Sequence, residues 1–472
     1  MSERATKLLG ETLNPEVRAF PSDFLWGAAT SAYQVEGAAA ADGRLASIWD
    51  RFAATPGTIE DGSDGARACD HYHRYAADVR LMADLGLNAY RFSVAWPRVV
   101  PAGRGAVNEA GLDFYDRLVD ALLDHDITPL ATLYHWDLPQ ALQDLGGWGR
   151  RDTALAFADY AQAVVRRLGD RVKSWVTHNE PWCVAVLGHE HGVHAPGAKD
   201  RSLALAVAHH LFLSHGLTVP IVRSLCPEAE VGLCSLVVPG HPASDSEPDR
   251  AAARRHDDAF NRWFVEPVQL GRYPSAPLER YVREGVIDDA HPVLARPEDL
   301  NIMSAPTDFL GLNYYSRAII RCTDTPESEN APRRLVEPPP DQRTDMGWEV
   351  YPEGLYEVLV RAHRDWNTRK LHVTEFGVAY GDGPADDGQI RDERRIRYID
   401  QHLRSLHRAI EDGIPVAGAF VWSFLDNFEW SFGYSKRFGL VWVDYDSLER
   451  TIKASGRWYG RVAMRNALEE VT

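Results

Sequence analysis

TPLATLYH at residues 128–135 and SWVTHNE at residues 174–180 flank a helical pattern at residues 151–168, and this alternation decides the fold. Both apolar runs are nearly continuous, as is typical of parallel strands that are buried on both faces. A strand, a helix and a second strand in this order predict one unit of an α/β sheet with parallel strands.

The same alternation recurs along the rest of the chain. Six further apolar runs are predicted as strands, at residues 24–30, 87–96, 230–238, 308–316, 371–377 and 416–425. Further helical patterns cover residues 70–85, 202–218, 352–366 and 390–411. Eight such alternations predict an α/β fold, a single closed (β/α)8 TIM barrel with elaborated βα loops.

The barrel is expected to form one domain over residues 1–472, with residues 1–19 as an N-terminal extension. Two segments rich in Pro, Ser and charge, 239–249 and 323–346, are predicted as loops, and the second is a candidate lid of the site.

Charge and composition limit the range of partners. Lys and Arg number 51 against 68 Asp and Glu, and this net charge of −17 disfavours nucleic acid and anionic membranes. No apolar run approaches the roughly 20 residues of a membrane span, and residues 1–20 lack the apolar segment of a secretory signal. The five cysteines contain no C-x-x-C pair, which favours reduced thiols in a cytoplasmic protein. We expect a small-molecule partner, and a homo-oligomer is left open.

Several predicted strands end in polar residues for which a buried strand has no structural use. They are His135, Trp136 and Asp137 on the third strand, His178, Asn179 and Glu180 on the fourth, Asn313 and Tyr315 on the sixth, Glu375 on the seventh, and Trp422, Glu429 and Trp430 on or after the eighth. The C-terminal ends of barrel strands line the active site, so these side chains are expected to meet. Two carboxyl groups among tryptophans indicate glycosidic bond hydrolysis, which needs an acid for the leaving oxygen and a second carboxylate.

Seven motifs connect this prediction to a family. They are FLWGAATSAYQVEG (24–37), YRFSVAWPR (90–98), LYHWDLPQAL (133–142), HNEPWC (178–183), LGLNYYS (310–316), VTEFG (373–377) and WSFLDNFEWSFGYSKRFGL (422–440). In this order, from about residue 20 to about residue 460, they resemble glycoside hydrolase family 1, the β-glucosidase family.

The resemblance implies a role for each matching residue. Glu180 of the N-E-P motif is the acid/base, and Glu375 of the T-E-x-G motif is the nucleophile of a retaining enzyme. Arg91 and Tyr315 lie beside the nucleophile. The implied sugar-binding residues are Gln34, His135, Trp136, Asn179, Asn313, Trp348, Trp422, Glu429, Trp430 and Phe438, with Trp182 as a further aromatic residue at the entrance.

These roles require different charges on the two carboxyl groups. Arg91 is expected to lower the pKa of Glu375, and a neighbouring carboxylate is expected to raise the pKa of Glu180. Once a sugar is bound covalently to Glu375, the pKa of Glu180 should fall, so that it can act as a base toward water. The resemblance also implies the carboxyl separation of a retaining enzyme, about 5–5.5 Å.

One residue departs from the family pattern. Phe376 follows the nucleophile where the family usually has Asn. One interpretation is a repacked strand end away from the reaction. The other is a changed orientation of Glu375 or a changed aglycone side.

The resemblance favours hydrolysis of terminal β-D-glucosides, including cello-oligosaccharides, with no cofactor and no metal. A β-galactosidase or β-fucosidase specificity and a transglycosylase are left open. A 6-phospho-β-glycosidase would have Ser at the position of Glu429, and a non-catalytic sugar-binding barrel is expected to lack one of the two carboxylates. The remaining clusters are interpreted as structural, namely the histidines His71, His73, His189, His191 and His194, and the arginines Arg254, Arg255, Arg394 and Arg395 on solvated helix faces.

Overall fold

The computed structural model describes residues 18–322 and 333–468. Its centre is a closed barrel of eight parallel strands in which each strand pairs with its neighbours in the sequence and the eighth pairs with the first. The strands are β1 Leu25–Ala29, β2 Ala89–Ser93, β3 Thr128–Tyr134, β4 Ser174–Asn179, β5 Glu230–Leu236, β6 Phe309–Asn313, β7 Leu371–Phe376 and β8 Val416–Trp422. The predicted α/β barrel is confirmed, and every predicted strand is present.

Helices cover the outside of the barrel. The longer ones are α1 His71–Asp84, α2 Glu109–Leu123, α3 Arg151–Leu168, α4 Arg201–Leu225, α5 Glu247–Asp257, α6 Glu353–Asp365, α7 Glu393–Glu411 and α8 Ala454–Arg465. All five predicted helical segments are present, and α4 extends beyond its predicted end to Leu225.

The connections contain short helical segments and small sheets. The short α-helices are Ala32–Val35, Ile48–Ala53, Trp96–Val99, Gln140–Gln143, Trp263–Gln269, Ser275–Arg283, Pro292–Ala295 and Asp299–Met303. Two segments are π-helical, Cys183–Glu190 and Asp258–Arg262, and three are 3-10 helices, Gly147–Gly149, Pro340–Gln342 and Trp430–Phe432. The paired outer strands are Arg18–Ala19 with Ala467–Leu468, Val441–Val443 with Arg450–Ile452, and Gly240–Pro242 and Arg333–Leu335 on either side of Ala318–Cys322.

The structure differs in part from both loop predictions. The prediction for 239–249 is partly wrong, because Gly240–Pro242 joins a sheet and α5 begins at Glu247. Ser246 starts this helix by accepting a hydrogen bond from the Asp249 amide, which offsets the many turn-forming residues nearby. The prediction for 323–346 is also partly wrong, because Arg333–Leu335 forms a strand and Pro340–Gln342 a 3-10 helix. Residues 323–332 lie outside the described residues, so the lid stays a prediction.

Small residues inside the barrel leave room for large ones. A Cβ atom at Gly27 of β1 would lie 2.3 Å from the ring of Phe420, and one at Gly311 of β6 would lie 2.4 Å from the Cys234 sulfur. Phe420 and Cys234 fill the interior together with Leu130 and other apolar side chains. Apolar side chains thus fill the barrel below the C-terminal strand ends, and the polar side chains meet above them.

The helix α4 is long and apolar enough to cross a membrane by length and composition, and it is the one such helix among the described residues. However, 83% of its apolar window is buried inside the protein. A helix buried in the core is apolar on most of its surface, so this burial explains the apolar composition of α4.

The prediction that the arginine clusters lie on solvated helix faces is partly wrong. Arg395 is only 1% exposed, and its guanidinium contacts Asp392 and Asp382 as well as backbone oxygens. Arg395 lies on the inner face of α7. Its burial was not predicted because a charged residue is expected at the surface. Arg254 and Arg394 are exposed as expected.

Candidate active site

A bulge in β7 aims Glu375 into the barrel. Thr374 already faces the interior, where its hydroxyl donates to Asn313 Oδ1 over 2.7 Å, and simple alternation would turn the next side chain outward. Between Val373 and Glu375 the pairing with β6 shifts register, which brings Glu375 inward and leaves Phe376 facing the helices. Phe376 is fully buried in the large hydrophobic core there. This position favours the first interpretation of Phe376, a repacked strand end away from the reaction.

The strand β4 has a similar irregularity before Glu180. The side chains of Thr177 and His178 both turn toward α4 and form hydrogen bonds with it. The pairing with β5 shifts register before Asn179, which lets Asn179 face the interior. Glu180 then leaves the strand with φ of 48°, in the left-handed region that residues other than Gly seldom adopt.

Two groups hold the carboxylate of Glu375. Arg91 Nη1 lies 2.6 Å from Oε1, and the Tyr315 hydroxyl donates to Oε2 over 2.5 Å. Burial raises the pKa of Glu375 above its ordinary value, while Arg91 and then Tyr315 act in the opposite direction. Arg91 therefore has the expected influence, but it opposes the larger effect of burial.

Glu180 is held by two neutral donors instead. Asn313 Nδ2 donates to Oε1 over 2.7 Å, and the thiol of Cys183 donates to Oε2 over 3.0 Å. Burial, and then the charge of Glu375, raise the pKa of Glu180 to about 7. The expected rise is confirmed. A large fraction of Glu180 is therefore protonated at neutral pH, whereas the direct ion pair with Arg91 favours the ionised form of Glu375.

One hydrogen-bond network positions both carboxyl groups. Arg91 Nη2 donates to Asn179 Oδ1 over 2.6 Å, and Asn313 Nδ2 donates to the same oxygen over 3.0 Å. Arg91 can only donate, so the amide oxygen of Asn179 faces it, and only the amide nitrogen of Asn313 can donate to that oxygen and to Glu180. Arg91 and Asn313 thus link the two carboxyl groups through Asn179.

Hydrogen bonds from two distant parts of the chain fix the side chain of Gln34. The Ser31 hydroxyl donates to its Oε1 over 2.6 Å, and its Nε2 donates to Asn427 Oδ1 over 3.1 Å and to the Phe428 carbonyl over 2.7 Å. Sequence reasoning missed Ser31 and Asn427 as supporting residues. Their place inside the motifs at 24–37 and 422–440 was the available signal.

Aromatic rings pack against one another beside this network. The ring centroid of Trp430 lies 4.6 Å from that of Trp136 and 6.0 Å from that of His135, and Trp422 lies 5.7 Å from His135. Asn179 Nδ2 donates to His135 Nε2 over 3.1 Å. Burial lowers the pKa of His135 well below its ordinary value, so His135 is neutral and accepts this bond.

Glu429 is a third buried carboxyl group, influenced by the other two. Burial, and then the charges of Glu375 and Glu180, raise its pKa to about 8. Its Oε2 atom is buried and has no hydrogen-bond partner among the described residues. A ligand hydroxyl at this atom would remove the cost of leaving it unpaired.

Further aromatic residues extend the site from Tyr315. The ring of Trp348 lies 5.4 Å from Tyr315 and 6.3 Å from Phe438, which lies 6.1 Å from Tyr315. Trp182, two residues after Glu180, stacks on Phe260 with centroids 4.1 Å apart. The barrel therefore brings together the residues that the resemblance implied, with Trp182 packed toward the segments that follow β5.

The histidine clusters do not form a metal centre within residues 18–322 and 333–468, where no group of three or more His, Cys, Asp or Glu side chains could hold an ion. His71 instead contacts Asp78, and His194 packs against Trp49 and Trp136.

The comparisons with known proteins agree with this geometry. A family model described as Glycosyl hydrolase family 1 matches residues 16–468. Thermostable β-glucosidase B of Thermobispora bispora is 48% identical over 461 residues, which cover 95% of this chain and 92% of that protein. β-Glucosidase A of Acetivibrio thermocellus is 46% identical over 448 residues, 95% of this chain and 98% of that protein. A β-glucosidase from Thermotoga maritima in complex with glucoimidazole matches with a TM-score of 0.91 and 43% identity, over 96% of this chain and 100% of that one. The chain belongs to glycosyl hydrolase family 1.

Proposed function

We propose that this protein is a retaining β-glucosidase that releases terminal, non-reducing β-D-glucosyl residues through a covalent glycosyl-enzyme intermediate. The observation that carries the proposal is the unequal setting of its two buried acids, Glu180 and Glu375. Glu375 contacts a guanidinium at 2.6 Å, and Glu180 contacts neutral donors and has a pKa of about 7. A nucleophile needs the first setting and an acid needs the second.

The first chemical step uses both groups at once. Glu375 attacks the anomeric carbon, and Glu180 gives its proton to the oxygen of the leaving group. Arg91 binds one oxygen of the attacking carboxylate, and Tyr315 binds the other. The products are an ester between the sugar and Glu375, a free alcohol and an ionised Glu180.

The second step reverses the role of Glu180. Esterification removes the charge of Glu375, which is one cause of the raised pKa of Glu180, so the pKa of Glu180 falls and it can accept a proton from water. The water oxygen attacks the anomeric carbon, and Glu375 leaves as a carboxylate. Two inversions at one carbon retain the β configuration.

The glycone pocket supports an uncharged sugar. Gln34, His135 and Asn179 offer fixed polar atoms, and the tryptophans offer flat apolar faces for the ring. Glu429 presents a carboxyl oxygen that would accept a hydroxyl hydrogen and that, once ionised, would repel a phosphate. The Thermotoga maritima relative is in complex with glucoimidazole, a sugar-like ligand, which supports a β-glucoside as the small-molecule partner. A cello-oligosaccharide substrate and a part in cellulose degradation belong to the same proposal.

We also propose a cytoplasmic location. Cys69, Cys183, Cys226 and Cys234 are buried thiols that form no disulfide bond among the described residues. Free thiols are typical of a reducing compartment.

The test is the stereochemistry and the selectivity of the reaction. Proton NMR of an aryl β-D-glucoside digest should show β-glucose first, with α-glucose appearing only by mutarotation. A matched panel of aryl glucoside, galactoside, fucoside and 6-phosphoglucoside then ranks the glycones by kcat/KM, with the glucoside or fucoside first and the phosphoglucoside last. Initial release of α-glucose would contradict a retaining mechanism, and preference for the phosphorylated sugar would contradict the role given to Glu429.

A further inference from the structure

Cys183 contacts the acid/base residue twice. It begins the π-helical segment Cys183–Glu190, and its backbone amide donates to the Glu180 carbonyl over 3.0 Å. Its thiol also lies 3.0 Å from Glu180 Oε2. Cys183 is 5% exposed, as is Glu180, so water competes little for this contact.

The two oxygens of Glu180 have chemically different partners. Asn313 Nδ2 can only donate a hydrogen bond, and it must face Oε1 because it also donates to Asn179 Oδ1, the oxygen that the Arg91 guanidinium holds. An oxygen that carries a proton is a poor acceptor, so Asn313 selects the unprotonated oxygen, Oε1. The proton of neutral Glu180 therefore belongs on Oε2, next to the sulfur of Cys183.

A thiol suits a neighbour that changes its charge during the reaction. Sulfur is a weak donor through S–H and a weak acceptor through its lone pairs. It can donate to ionised Oε2 and, after rotation about the Cβ–Sγ bond, accept from protonated Oε2. Burial, and then the charge of Glu180, raise the pKa of Cys183 well above its ordinary value, so the thiol keeps its hydrogen.

We propose that Cys183 is a positioning residue that holds Oε2 of Glu180 in both of its protonation states and so sets the pH at which Glu180 changes from acid to base. This inference deepens the proposed glycosidase function and rests on it. The weak sulfur contact restrains Oε2 without binding the proton so tightly that transfer to the leaving oxygen is slowed.

The ionisation of Glu180 also depends on other groups around it, which a test must leave in place. The charged or titratable side chains that influence it or are influenced by it are Glu375, Arg91, Tyr315, Glu429, Cys183 and Cys234. A substitution at Cys183 changes one of these and leaves the other five unaltered.

The test compares Cys183→Ala and Cys183→Ser with the parent enzyme. Alanine removes both contacts, and because the hydrogen bond to the charged, ionised Oε2 is the stronger of the two, the basic limb of the kcat/KM profile should move upward by about half a pH unit. Serine restores a hydroxyl donor, so its basic limb should lie below that of the alanine variant. A residue that only fills space would not separate Ala from Ser in this way. Cys226→Ala, at another buried cysteine 5% exposed and at the C-terminal end of α4, is the matched control and should leave the limb unchanged.

The results distinguish a failure of the role of Cys183 from a failure of the proposed glycosidase function. If the parent enzyme hydrolyses no β-glycoside, the proposed function fails. If the parent is active but the basic limb of Cys183→Ala coincides with that of the parent or with that of Cys183→Ser, the role of Cys183 is refuted alone. Should Cys183→Ala fail to fold by circular dichroism, Cys183→Val, which fills the space without a donor, takes its place with the same expected shift.

Discussion

Replacing Tyr315 with Phe should move the acid limb of the pH–rate profile to higher pH. The Tyr315 hydroxyl donates to Glu375 Oε2 over 2.5 Å, and this bond favours the ionised nucleophile. A hydrogen bond to a charged group contributes about 1.5–3 kcal/mol, which corresponds to a rise of about one to two units in the pKa of Glu375. On the acid side of the profile kcat/KM should therefore fall about ten- to hundredfold.

The assay is kcat/KM for an activated aryl β-glucoside across the acid range, because that limb reports the ionisation of the nucleophile in the free enzyme. Tyr314→Phe is a matched control, since the neighbouring Tyr314 hydroxyl donates to the Tyr351 carbonyl and not to a carboxylate. The reasoning is refuted if the acid limb of Tyr315→Phe stays where it is, or if Tyr314→Phe moves it equally.

Three further predictions concern the acid, the strand end and the buried histidines. Glu180→Ala should lower kcat/KM for poor leaving groups by about 10²–10⁴-fold and affect dinitrophenyl glucosides far less; equal losses on both substrates would argue against the acid role. Phe376→Ala should cost about 3–5 kcal/mol of unfolding free energy in urea, yet leave both limbs of the pH profile in place, and a shifted acid limb would show that Phe376 does influence Glu375. Burial lowers the pKa of His194, His215 and His372 from 6.5 to about 3, so between these values the unfolded chain binds protons that the folded chain does not. The melting temperature should therefore rise from pH 4 to pH 6.5, and a flat curve would contradict their neutral state in the fold.

The barrel and the acids could be predicted because their signals are local. Buried parallel strands are continuous apolar runs, and the runs at 128–135 and 371–377 needed no tertiary information to be recognised. The motifs around Glu180 and Glu375 then placed both acids at strand ends, where a barrel brings them together.

The finer geometry depends on partners distant in the sequence. The direction of Glu375 follows from a register shift against β6, and nothing within VTEFG reveals the pairing of that strand. The burial of Arg395 depends on Asp382 and on backbone oxygens beyond its own helix. The thiol of Cys183 reaches Glu180 because the chain turns through a left-handed residue into a π-helical segment, which no residue pattern indicates.

The most direct test of the account is to trap its covalent intermediate. Incubation with a 2-deoxy-2-fluoro-β-D-glucoside that carries a good leaving group should inactivate the enzyme with one sugar per chain, and peptide mass spectrometry should place that sugar on Glu375. Glu375→Gln should form no adduct under the same conditions. A sugar attached to another residue, or turnover of this substrate without any adduct, would contradict the claim that Glu375 is the nucleophile.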